Sequence, residues 1–160
     1  PLSTADAAAV AHIHFDIERD KLASINDFAD VDEVDRYGTL VFLASLQALV
    51  EIPAAEPETT DDTVFVRNPG IRGPMHAFGF SYINDELGAA KYDALRLPDY
   101  SGSHGSGGQY SYEALNLVNG NRTVSEIRNW LTAELGPVPI EIVREYLDAL
   151  AEIDVVRVRN

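Results

Sequence analysis

His12-Ile13-His14-Phe15-Asp16 is the first stretch whose residue types could do chemistry. Two imidazoles one residue apart share a face of a β-strand and can chelate zinc there. Their neighbours, however, are helix formers: an Ala-rich run before them and Glu18-Arg19-Asp20-Lys21 after. On a helix, residues i and i+2 point about 200° apart and cannot share an ion. His12 and His14 therefore read as surface or rim histidines, and no metal or other cofactor is expected.

Other candidates are scattered. Arg67, Arg72 and His76 surround the turns Asn68-Pro69-Gly70 and Gly73-Pro74 and form the one small cationic cluster in the sequence. Such a cluster can hold a carboxylate of a peptide or partner, although surface cations commonly pair with a chain's own acids. His104 sits in the run Ser101-Gly-Ser-His-Gly-Ser-Gly-Gly108, part of a stretch from Leu97 to Gly108 that reads as a flexible loop; no Gly-Lys-Ser/Thr follows it, so it is not a phosphate loop. Asp61-Asp62 and Asp30, Asp32, Asp35 lack calcium-loop spacing. No set of residues reads as catalytic.

The elements that must position these residues are mostly helical. Ser3 or Thr4 can cap a helix over Ala5 to Asp27, with Ala8, Ala11, Phe15, Leu22 and Ile25 as an imperfect stripe. A second helix is expected from about Val31 to Val50. Its centre, Leu40-Val41-Phe42-Leu43-Ala44, is apolar all round, so Phe42 and its neighbours should be enclosed or packed on a partner, and self-association is one way to do it. Glu51 to Asp62 reads as a linker, Thr63 to Arg67 as a short strand, and His76 to Leu87 as a short helix.

The last fifty residues are the most legible. Tyr112, Leu115 and Val118 give a short first helix, stopped at Asn119-Gly120-Asn121. Thr123 and Glu126 have capping-box spacing ahead of Val124, Ile127, Leu131 and Leu135, with Trp130 at the edge of that face as a candidate partner contact. Gly136-Pro137 ends this helix, and Pro139 suits the first position of a third. There Ile142, Val143, Tyr146, Leu147 and Leu150 form a wide apolar stripe. After Asp154, Val155 to Arg159 reads as a half-exposed strand. The expected fold is mainly α with minor β: a helical hairpin over 1–52, a linker with a short strand and helix over 53–109, and a winged-helix-like domain over 110–160.

Composition narrows the partners. The chain has 160 residues, a net charge of −14, 46% hydrophobic residues and no cysteine. It can bury a core, and it has neither a disulfide framework nor thiol chemistry. The third C-terminal helix carries Glu141, Glu145, Asp148 and Glu152 against Arg144 alone. A DNA reader needs cations to neutralise phosphates, so no nucleic acid is expected, and neither is an anionic membrane. No apolar run approaches the length of a membrane span and no signal peptide is visible. Pro1-Leu2-Ser3 reads as a cloning or cleavage remnant, and either a secreted or a cytoplasmic setting fits.

Two resemblances attach to the last fifty residues. Leu117-Val-Asn-Gly-Asn-Arg-Thr123, Glu126-Ile127 and the final helix with Tyr146-Leu147 and Leu150 resemble the PqqD-like winged-helix family, which binds leader peptides. A longer stretch resembles the C-terminal region of bacterial secreted di-zinc aminopeptidases of the transferrin-receptor-like class. It includes Tyr112-Glu-Ala-Leu-Asn116 and Gly136-Pro-Val-Pro139. Val31-Asp32 and Tyr37-Gly38, ahead of an apolar helix, resemble the last helix of the same enzymes. The zinc ligands of those enzymes have no counterpart here. The second resemblance implies a non-catalytic accessory module that packs on a partner domain or chain. The first implies a stand-alone peptide-binding module in which an extended peptide adds along a strand and groove. Either way the expected partner is a protein or peptide.

Overall fold

The computed structural model of the chain describes residues 4–25, 39–40, 60–73, 75–102 and 105–159. Two compact units divide between Glu58 and Thr59. In the first, α1 spans Thr4–Ile25, an uninterrupted run without Gly or Pro. His12 is half-buried and His14 exposed on this helix, so the pair lies on different sides, as the helical reading requires. Thr39 and Leu40 are helical as well. The rest of the helix expected over Val31 to Val50, Phe42 included, lies outside the described residues, as do Asp30, Asp32, Asp35 and His104.

The second unit is mainly helical with minor β. In chain order it contains β1 (Phe65–Arg67), β2 (His76–Ala77), β3 (Phe80–Ser81), α2 (Tyr82–Leu87), α3 (Ala89–Tyr92), α4 (Gly107–Leu117), α5 (Val124–Leu135), α6 (Ile140–Glu152) and β4 (Val156–Val158). The three helices followed by a strand stand where the sequence puts them. Thr123 caps α5 as expected: its Oγ1 accepts from the Glu126 N–H at 3.1 Å, and Glu126 Oε2 accepts from the Thr123 N–H at 2.7 Å. Before it, Asn119 Oδ1 accepts from the N–H groups of Asn121 and Arg122, both at 2.9 Å, which turns the chain from α4 into α5. Pro139 precedes α6 as its cap rather than serving as its first residue.

The core explains the order. Ile142, Val143, Tyr146, Leu147 and Leu150 on α6 are buried together with Val124, Ile127 and Leu131 on α5 and Tyr110, Ala114 and Leu115 on α4. β4 returns along this core and pairs antiparallel with β1, Phe65 opposite Val158 and Arg67 opposite Val156. The stretch read as a linker thus joins the body. Phe65, Ile83, Leu95 and Leu97 are all buried in the same core as the helices. Linker-like composition, with its prolines and acids, ends before Thr63; beyond it, alternating and apolar residues find partners that lie far along the chain.

Two local readings change. His76 to Leu87 is not one helix. His76 pairs with Ser81 and Ala77 with Phe80 in a two-residue hairpin, and the helix starts only at Tyr82. Both turn residues have positive φ, 52° at Phe78 and 84° at Gly79, the pattern of a type I′ turn. Ser81 Oγ then accepts from the Asn84 N–H at 3.3 Å and caps α2, so hairpin and helix form one continuous unit. The loop expected from Leu97 to Gly108 is also shorter than that, since Leu97 is wholly buried and Gly107 and Gly108 are helical. A side chain at Gly107 would collide with the carbonyls of Leu97 and Pro98; close packing overrides the low helix propensity of glycine there.

Phe65 tests whether the former linker belongs to the core. It is 1% exposed. Truncating a buried Phe costs about 3–5 kcal/mol. Urea unfolding of Phe65→Ala followed by circular dichroism should show a loss of that size. A loss under about 1 kcal/mol would mean that the β1–β4 pairing does not enclose the ring.

Candidate binding cleft

The second unit contains a cleft of about 890 Å³ between the β2–β3 hairpin and the helices. One wall carries Arg67, Gly73, Met75, His76 and Ser81; the opposite wall carries Gln109, Tyr112, Glu113 and Asn116 of α4 with Glu134 and Leu135 of α5. Ile83, Tyr92, Leu115 and Tyr146 line it as well.

Each wall is held from below. On the helix side, Tyr110 is wholly buried and its hydroxyl donates to the Leu135 carbonyl at 2.6 Å. Its ring meets Tyr100 edge to face with centroids 5.2 Å apart, a favourable aromatic geometry. The Tyr100 hydroxyl donates to the Pro137 carbonyl at 2.7 Å. Together the two tyrosines tie the start of α4 to the α5–α6 connection. On the strand side, Arg144 of α6 donates to Asp61 at 2.8 Å, to Thr63 at 2.7 Å and to Asp148 at 2.8 Å. The Asp61 N–H donates to Ser125 Oγ at 2.7 Å, and the Thr63 carbonyl accepts from the Val124 N–H at 2.9 Å. These bonds fix the lead into β1, whose last residue is the cleft residue Arg67.

The cleft is amphipathic. Tyr146 is 2% exposed, and burial pushes its phenol well above the ordinary value; Tyr92 adds to the rise and the neighbouring Ser111 hydroxyl opposes it. Ser111 Oγ is itself buried, and its neighbour is the Tyr146 phenol. Tyr112 stands 66% exposed at the rim.

Of the residues singled out from sequence, Arg67 and His76 come together on one wall. Arg72 lies in the turn between them, its Nε donating to the Pro69 carbonyl at 3.2 Å, and does not line the cleft. Trp130 is elsewhere: half-buried against the core, with the Arg122 guanidinium 4.8 Å from its ring. The sequence reading passed over Ser111 and Tyr92 and put Tyr112 on the apolar face of its helix with Leu115 and Val118, whereas its ring is exposed. The clustering of Tyr and Ser around Gly107-Gly108 was the available signal, since those residues favour adaptable contact surfaces.

Among the described residues, no group of three or more His, Asp or Glu is placed to hold a metal ion. Among the described residues, too, no helix is long and apolar enough to cross a membrane. Three of the four acids of α6 have cationic partners: Glu145 accepts from Arg96 Nε at 2.8 Å, Glu152 pairs with Lys91, and Asp148 with Arg144. No family model matches the chain, and neither does any curated protein or solved structure.

The Asp61–Arg144 contact sets a pH dependence. Burial alone would raise the Asp61 carboxyl, but hydrogen bonds from Thr63 and Arg144 outweigh it and hold the group below its usual 3.8. A carboxylate depressed in the folded state contributes stability above its unfolded pKa and loses it as pH falls through the folded value. Asp61→Asn should therefore lower unfolding free energy by about 1 kcal/mol near neutrality. The difference from wild type should be flat between about pH 7 and 5 and shrink below about pH 4. A gap that stays constant down to about pH 2 would show that the carboxylate charge is not what Arg144 uses.

Proposed function

We propose that residues 59–160 act as a non-catalytic interaction module whose cleft receives a polypeptide segment of a partner domain or chain. The observation that carries this is the open cleft itself, with Tyr92 and Tyr112 lining it beside Arg67 and His76. Tyr92, Tyr112, Ile83 and Leu115 offer surface for the side chains of such a segment. The flanking Arg67 and His76 suit a carboxylate on the same segment.

An acyl-transfer reading of the cleft is weaker. A serine nucleophile needs a base in hydrogen-bond contact, and Ser111 Oγ makes no bond to His76, the imidazole of this cleft. The resemblance to the region behind the catalytic domain of secreted di-zinc aminopeptidases names the first partner to try, a domain of that kind. A stand-alone module of PqqD type would add its peptide as a strand instead.

Selection from a random peptide library on the full chain, followed by hydrogen exchange, separates these readings. Cleft binders should protect amides of α4 and the β2–β3 hairpin; strand addition should protect β4. Tyr112→Ala should weaken selected ligands about tenfold or more and leave the melting temperature nearly unchanged, because the ring is exposed. Ligands indifferent to Tyr112→Ala that protect neither α4 nor the hairpin would overturn the cleft reading.

A further inference from the structure

Phe78 projects wholly into solvent at the tip of the β2–β3 hairpin, and Phe80 beside it is half exposed. The Phe78 backbone also sits at φ 52°, a conformation bulky residues rarely adopt. Among the described residues nothing covers the ring, and it occupies a turn position where Asn or Gly fits better. A local choice that is poor for folding points to a use outside the fold.

The hairpin that carries Phe78 is also one wall of the cleft, and the two walls differ in charge. Arg67 stands on the strand side, Glu113 and Glu134 on the helix side. Such a surface is complementary to itself after a half-turn: the strand wall of one copy faces the helix wall of another. An isologous contact requires that kind of self-complementarity. With a net charge of −14 on each copy, general surface contact is repulsive, which confines association to the place where the signs alternate.

We infer that the cleft is occupied by a second copy of this chain, the Phe78 tip of each protomer entering the aromatic cleft of its partner about a two-fold axis. The inference rests on the cleft reading and names the segment it receives. Phe78 meets Tyr112 and Leu115 of the partner subunit, and Arg67 faces the partner subunit's Glu113.

Sedimentation equilibrium of the full chain, with matched disulfide trapping, tests it. Wild type should be dimeric at about 100 µM, and Phe78→Asn should raise the dissociation constant about tenfold or more. The same substitution should not lower the melting temperature at dilutions where both proteins are monomeric, because Asn tolerates positive φ. The chain has no cysteine, so Ala77→Cys and Asn116→Cys can be made singly and mixed. Under mild oxidation the mixture should form the disulfide-linked heterodimer of the two variants faster than either variant couples to itself. A wild type that stays monomeric at about 1 mM overturns the inference, as does a dimer that Phe78→Asn leaves intact. A monomer that binds phosphatidylcholine vesicles through Phe78 also overturns it and makes the tip a lipid anchor. If the monomer still binds library peptides in a Tyr112-dependent way, the cleft reading stands and only its occupant changes.

Discussion

The apolar stripe of α6 is the surface on which the rest of the 59–160 unit assembles. Val143, Leu147 and Leu150 are wholly buried, and each such side chain stabilises the fold by about 1.5–3 kcal/mol. Against a typical net stability of about 5–15 kcal/mol, three residues decide whether the unit folds. The stripe is wide enough to meet α4, α5, α2 and β4 at once. That width is why residues far apart in sequence, such as Phe65, Leu97 and Val156, share one core. The same stripe reaches the cleft, since Tyr146 belongs both to the core and to the cleft lining.

Electrostatics completes what the stripe begins. The polar face of α6 carries four acids, and three of them have specific cations. Arg96 and Lys91 come from the segment that follows α2, and Arg144 binds the lead into β1. Exposed pairs of this kind contribute little each. Their effect is positional: they dock the 88–97 and 60–67 segments against α6 in one register. The cationic cleft wall is then set by the same contacts, because Arg67 follows directly from the strand that Arg144 helps to anchor.

How much of this was legible in the sequence depends on the range of the interaction. Thr123 and Glu126 bond to each other three residues apart, so the start of α5 could be read directly. The spacing of Ile142, Val143, Tyr146, Leu147 and Leu150 gave α6 for the same reason. The hairpin at His76 to Ser81 was not legible. Phe78, Tyr82 and Ile83 mimic a helical face, and Phe-Gly is a poor signal for a type I′ turn. The helical start at Gly107 was hidden because its cause is a close approach to Pro98, which no local pattern records. Of the cleft, only the cationic wall showed in the sequence. Ser111 and Tyr112 lie on a helix whose core face is plain and whose other face gains meaning only once the hairpin stands opposite.

A sequence that specifies one fold usually satisfies its local rules together, and its exceptions gather where something other than stability is selected. One exception here lies beside the cleft: a bulky aromatic takes a positive φ at the hairpin tip, where its ring is wholly exposed. Phe78 is two residues from the cleft residue His76, so the strained, exposed tip and the aromatic-lined cleft become intelligible as halves of one contact. Arg67 and Glu113 carry opposite charge in that cleft, which makes a second copy a fitting source of the missing half.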